Sequence, residues 1–179
     1  MGLQILYFVH GTTTDNELDR CTSWLPGELS ELGKQQARAL GEQVADQQFD
    51  IVFCSDLQRA VDSAELGFAQ KYQIIQDKRL RECNYGAFNG GFEDDFVKEA
   101  YIYEPFPDGE SYLDVEKRMR LFIKMLSQDY GGKRVAIVAH QAPQLALEVI
   151  VNGKTWERAF AEDWRKKKAW QPGWKYELS

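Results

Sequence analysis

The chain carries two histidines, and each directly follows a run of apolar, strand-forming residues: Leu3 to Val9 before His10, and Arg134 to Ala139 before His140. An imidazole can act as a nucleophile, a general acid or base, or a metal ligand. In open α/β sheets, ligands bind just beyond the carboxyl ends of the strands. Histidines at that position on adjacent strands would face one pocket. Two hydrogen-bonded structural histidines are the alternative, and placement leaves both readings open. After His10, the stretch Gly11 to Asn16 supplies backbone N–H groups, hydroxyls and an amide, a set suited to holding an anion.

A cysteine nucleophile of the tyrosine phosphatase kind needs five residues between Cys and Arg. Cys54 and Arg59 are separated by four, which excludes that reading. Cys21, Cys54 and Cys83 cannot all pair within one chain, and they show neither C-x-x-C nor metal-ligand spacing. Reduced thiols in a cytoplasmic protein are therefore expected. The formal net charge of −6 argues against a nucleic-acid partner. The one basic run, Arg165 to Lys168, reads as a solvated helix face. No apolar run approaches the roughly 18 residues of a membrane span, and no secretory leader is expected.

The elements that must position these groups follow from periodicity. Leu3 to Val9, Asp50 to Cys54 and Arg134 to Ala139 read as buried strands, with Tyr72 to Ile75 as a further strand. Ser30 can cap a helix bearing Leu32, Ala37, Leu40 and Val44 on one side. Further helices are expected over Gln58 to Phe68, over Ser111 to Gln128 and from His140 through Val149. Arg79 to Gly109 reads as loops with one short helix. A Trp-rich C-terminal segment, with Trp156, Trp164, Trp170 and Trp174, should hold a helix and a short last strand, its aromatics packing as core or cap. Alternation of strands and helices predicts an α/β three-layer sandwich, a mostly parallel central sheet with helices on both faces. Residues 1–179 read as a single domain.

Six stretches, in order, resemble the histidine phosphatase superfamily, which includes the phosphoglycerate mutases. His10, Gly11, Thr13 and Asn16 match Arg-His-Gly-Glu/Gln-Thr-x-x-Asn, and Leu29, Ser30, Gly33, Gln36 and Ala37 match the next block. Ser55, Asp56, Leu57, Arg59 and Ala60 match Ser-Asp-Leu-x-Arg-Ala. Leu80, Arg81 and Glu82 precede the aromatic–glycine pair Tyr85 and Gly86; Gly109, Glu110 and Ser111 follow, then Val138 with His140.

The resemblance implies phosphoryl transfer from a small phosphomonoester to His10, then hydrolysis of the phosphohistidine, with no metal or other cofactor. Arg59 and His140 would surround the phosphoryl oxygens with positive charge and hydrogen bonds. Asn16, Gly11 and Thr13 would add phosphate contacts. Glu82 would protonate the leaving oxygen and later activate water. A homodimer is also implied.

Two positions depart from the pattern: Val9 replaces the family's arginine before the nucleophile, and Thr12 replaces its Glu or Gln. Arg20 and Arg81 are the expected substitute cations. Failing those, the chain would be a weakened or inactive protein that binds a phosphorylated ligand. Asp19 to Trp24 resembles a substrate-proximal stretch of the mutases, which implies substrate contacts for Arg20 and Thr22 and makes a mutase the rival activity. The mutases' paired arginines are missing: no arginine lies between Arg81 and Arg118. Glu93, Asp94 and Asp95, if they face the pocket, would disfavour a second anionic group on the substrate.

Overall fold

Strand alternation explains how one sheet acquires two apolar faces. In the computed structural model, which describes residues 2–167 and 173–178, β1 (Leu3–Val9) sends Leu3, Ile5 and Tyr7 to one face and Leu6 and Phe8 to the other. β2 (Ile51–Cys54) and β4 (Arg134–Ala139) divide their side chains in the same way. β3 (Ile74–Gln76) and β5 (Trp174–Leu178) form the edges, giving the order β3-β2-β4-β1-β5. Every pairing is parallel except β1 with β5. The predicted third strand thus begins two residues later than expected, at Ile74.

Helices α2 (Glu31–Gln43) and α3 (Gln58–Phe68) cover the Leu6–Phe8 face. Ser30 caps α2 by accepting from the Gly33 N–H at 3.2 Å. Ala37, Leu40 and Val44 are buried, whereas Leu32 is 50% exposed, because the first turn of α2 lies beside the loop after β1 and not over the sheet. Helices α4 (Tyr112–Asp129), α5 (Gln141–Ile150) and α6 (Trp156–Ala161) cover the other face. Along α4, Tyr112, Val115, Met119, Phe122 and Leu126 are fully buried at helical spacing. Burying each large side chain of this kind contributes about 1.5–3 kcal/mol before its entropy cost. The result is the expected three-layer α/β sandwich. A single-turn helix, α1 (Thr14–Glu17), follows β1.

The middle region, expected to hold one short helix, instead has 3₁₀ turns at Lys78–Leu80, Gly86–Phe88, Glu93–Asp95 and Lys98–Tyr101. Gly86, Gly90, Gly91, Pro105 and Pro107 break the region on either side of residues 92–104. Aromatic packing anchors the region: Phe106 stacks on Tyr101 at 3.8 Å between ring centres and lies beside Tyr85 and Phe96. Trp156 is buried against Tyr112 and Phe160, and Trp174 meets Tyr7 edge-on, so these two tryptophans pack as core. Trp170 and Lys168 lie outside the described residues. No helix among the described residues is long and apolar enough to cross a membrane.

Candidate active site

Because β1 and β4 are neighbours in register, with Val9 opposite Ala139, the histidines that follow them meet. The His10 and His140 rings lie 5.0 Å apart at 61°. His10 Nδ1 is 2.7 Å from the Gly11 carbonyl oxygen. A carbonyl only accepts, so Nδ1 carries the proton and Nε2 the lone pair. Arg59 Nε donates to that Nε2 at 3.2 Å. Burial, and then the Arg59 charge, hold the His10 pKa down at about 3. The same causes, with His10 added, push the fully buried His140 well below the ordinary histidine value. Both ring nitrogens of His140 lack a hydrogen-bond partner, although its backbone is pinned to the Tyr7 hydroxyl. Buried polar atoms are normally satisfied, so this ring is built to meet something else.

Arg59, on the first turn of α3, is only 2% exposed. Its Nη1 donates to Leu25 O at 3.2 Å and its Nη2 to Ser23 O at 2.7 Å, and no carboxylate among the described residues pairs with it. A buried guanidinium neutralised by no carboxylate is a prepared anion site. Ser23 presents its carbonyl from the left-handed region, φ 48°, a strained conformation for a serine. Hydrogen bonds of its hydroxyl to Cys83 O and from Tyr85 N–H hold it there.

Glu82 lies against the start of α5. Its Oε1 accepts from the N–H groups of Cys83 and Ala142, and its Oε2 from Gln141 N–H at 3.1 Å. The helix N-terminus thus fixes the carboxyl group. The segment before it is clasped by Arg118, which donates to the carbonyls of Arg79, Arg81 and Glu82 while its Nε and Nη2 grip Glu110.

His10, Arg59 and Glu82 line a cleft of about 260 Å³ together with Val9, Thr12, Asn16, Arg20, Cys21, Thr22, Ser23, Tyr85, Glu93, Lys98, Gln141 and Arg165, whereas His140 is fully buried and is not part of its lining. Its cationic side chains (Arg20, Arg59, Lys98, Arg165) outnumber its carboxylates (Glu82, Glu93), in a chain of formal charge −6. Such a cleft concentrates anions. Among the described residues, no group of three or more His, Cys, Asp or Glu is placed to hold a metal ion. Cys21 and Cys54 are buried and their thiols pushed up to about 12, unlike a reactive thiolate.

Several expectations need correction. Gly11 gives its N–H to Ser63 Oγ and serves a close backbone approach, since a Cβ there would stand 2.3 Å from Gly33 O. Thr13 is fully buried and caps α1, exchanging hydrogen bonds with Asn16. Neither lines the cleft; both shape the loop that carries His10. Asn16 does line it, with Oδ1 engaged by Thr13 N–H, so its amide NH₂ is the group left for a ligand. Thr22 lines the cleft and donates to Asp15. Arg81, offered as a substitute cation, forms a two-pronged pair with Asp56 and lies over Trp24. Arg20 is at the cleft, over the exposed Phe92 ring. Of the three acids expected to repel a second anion, Glu93 reaches the cleft but pairs with Lys98, Asp94 is exposed, and Asp95 caps Phe92 N–H. Arg165, expected on a solvated face, lines the cleft instead.

Ser23, Lys98, Gln141, Arg165 and the Arg118–Glu110 clasp were not identified as site residues. Gln141, next to His140, was the one whose position in the chain could have betrayed it.

The family described as "Histidine phosphatase superfamily (branch 1)" matches residues 6–161 of the chain. A phosphoserine phosphatase 1 from Hydrogenobacter thermophilus is 24% identical over 162 residues, covering 84% of this chain and 77% of its own. A 2,3-bisphosphoglycerate-dependent phosphoglycerate mutase from Methylorubrum populi is 31% identical over 164 residues, covering 82% and 77%. Among solved structures, a mycobacterial glucosyl-3-phosphoglycerate phosphatase complexed with VO3 superposes with a TM-score of 0.77 at 28% identity, covering 88% of this chain and 86% of that one.

Proposed function

The chain belongs to the histidine phosphatase superfamily, branch 1, and from that premise we propose that it hydrolyses a small phosphomonoester, without a metal, through a phosphohistidine on His10. One observation carries the reading. A neutral imidazole with its lone pair on Nε2 faces a buried arginine that pairs with no carboxylate among the described residues, beside a second imidazole whose nitrogens are unsatisfied.

In the first step the Nε2 lone pair attacks phosphorus. The bond to the leaving oxygen breaks, its electron pair stays on that oxygen, and protonated Glu82 supplies the proton. Oε2 is the oxygen suited to this exchange, because it accepts one backbone N–H while Oε1 accepts two. Arg59 and His140 stabilise the equatorial oxygens, with the Asn16 amide as a further donor. Arg59 must exchange its contact with Nε2 for one with the phosphoryl group as the nucleophile is released. In the second step water attacks phosphorus, Glu82 takes its proton, and the P–N electron pair returns to Nε2. Phosphate and a neutral His10 are regenerated.

Turnover of an aryl phosphate with and without chelator, beside His10→Ala, tests this. Chelator-resistant activity lost in the variant, with acid-labile phosphate trapped on the wild type alone, is the expected result. Full activity in the variant ends the mechanism. The mutase reading has one observation in its favour, the presence of Arg20 and Thr22 at the cleft. Phosphoryl transfer to a phosphoglycerate acceptor in preference to water would establish it.

A further inference from the structure

We propose that Arg118 is a positioning residue: with Glu110 it locks the backbone of residues 79–84 and so sets where the Glu82 carboxyl group stands relative to the leaving oxygen. The inference rests on the reading of the cleft as a phosphoryl-transfer site with Glu82 as its proton donor.

Proton transfer requires donor and acceptor within about 2.6–3.2 Å. Glu82 must therefore be held tightly, yet it belongs to no strand or α-helix. It follows the single 3₁₀ turn at Lys78–Leu80, in a segment whose carbonyls lack the partners that regular structure supplies. Arg118, from the middle of α4, supplies them. Its Nη1 donates to Arg79 O and Arg81 O, both at 2.7 Å, and its Nη2 to Glu82 O at 2.9 Å. Nε and Nη2 also donate to the two carboxylate oxygens of Glu110, at 3.0 and 3.1 Å. These contacts occupy all five N–H groups of the guanidinium.

Glu110 extends the lock past Glu82. Its Oε2 accepts from Asn84 N–H at 3.0 Å, and its own N–H donates to Asn84 O at 2.9 Å. The Arg118 and Glu110 side chains are 15% and 19% exposed, so water and salt screen these charge-assisted bonds little. On either side of Arg118 in sequence, Val115, Met119 and Phe122 are fully buried, which anchors the lock in the core. The tip of Glu82 is held separately, by the N–H groups of Cys83, Gln141 and Ala142. The residue is thus fixed by its backbone to α4 and by its carboxyl group to the start of α5. Arg118 does not line the cleft, so its influence on the reaction passes through Glu82.

The test uses the 179-residue chain, with kcat and KM measured for an alkyl phosphate and for p-nitrophenyl phosphate, whose oxygen leaves without a proton. Arg118→Lys, which keeps the charge but cannot span five acceptors, should lower alkyl phosphate kcat about 10-fold, and Arg118→Met about 10- to 100-fold. The loss with p-nitrophenyl phosphate should stay below about threefold, and KM and orthovanadate affinity within about twofold of wild type, because His10 and Arg59 are untouched. In a Glu82→Gln background the Arg118 substitutions should change alkyl phosphate turnover less than about twofold, since no proton donor remains to be positioned. Glu110→Gln, which breaks the two-pronged pair and leaves Arg118 on the carbonyls, should cost about 3- to 10-fold with the alkyl phosphate alone. It decides the matter if the Arg118 variants do not fold. Equal losses on the two substrates, or a loss repeated in the Glu82→Gln background, overturn the role of Arg118, while His10-dependent turnover leaves the phosphatase reading intact. Turnover unaffected by His10→Ala removes both.

Discussion

Adding one methyl group at Gly33 should move the nucleophile. The first turn of α2 runs under the loop after β1, and a Cβ on Gly33 would stand 1.9 Å from the Thr12 carbonyl oxygen. Real Cβ contacts do not fall below 3.0 Å, so loop and helix must part by about 1.1 Å. They cannot part freely. Ser30 N–H and Oγ both donate to Thr12 O, Thr12 N–H donates to Gln36, and Gly11 N–H donates to Ser63. Overpacking of this kind costs about 1–3 kcal/mol, or about 3–10 °C in Tm for a chain of this size. A displacement of about 1 Å at the reacting atoms costs on the order of 100-fold in rate. Gly41→Ala is the control, since its Cβ would meet Gly67 O at 2.3 Å where α2 crosses α3, near the other end of the same helix. Thermal unfolding by circular dichroism, and kcat at a temperature where all three proteins are folded, should separate the two effects. Both variants should lose Tm, and Gly33→Ala alone should lose kcat. An unchanged Tm for Gly33→Ala, or equal kcat in the two variants, would refute the claim that this contact positions His10.

Acid should destabilise the protein earlier than its carboxylates require. His10 and His140 are its only histidines, and both have depressed folded-state pKa values, so protons enter the unfolded chain first as pH falls through about 6.5. Their stabilisation is complete above that pH and shrinks by about 1.4 kcal/mol per pH unit for each histidine as the folded pKa is approached. Urea denaturation at pH 7.5 and 5.0 should show this, and His140→Asn should roughly halve the slope; equal stability at both values contradicts the neutral histidine pair. Glu82→Gln should lower kcat by about 10²- to 10⁴-fold for alkyl phosphates and far less for aryl phosphates with good leaving groups. An equal loss for both would remove Glu82 as the proton donor. Val9→Arg should raise kcat less than about threefold, because Arg59 already brings a buried guanidinium to His10. A gain above tenfold would show that the cleft lacks a cation at the phosphoryl group.

Much of this arrangement was legible in the chain because it is local. The runs before His10 and His140, the Ser30 cap and the spacing along α4 each follow from short-range pattern, and a parallel sheet then places both histidines at one end. The signal failed where one polar side chain can serve either ligand or fold. Thr13 and Gly11 lie in the right loop, yet a hydroxyl that caps a helix and an N–H that meets Ser63 leave the cleft to others. Arg81 carries the required charge, but Asp56 is closer.

The sequence by itself determined the layered α/β fold, the pairing of the histidines and the neighbourhood of Arg59 and Glu82, since periodicity and block order operate over a few residues at a time. Only the tertiary structure decided which cations face the cleft. Arg20, Arg59, Lys98 and Arg165 reach one cleft from four separate segments, the last two 67 residues apart, and no short-range pattern reports which distant segments a fold brings together.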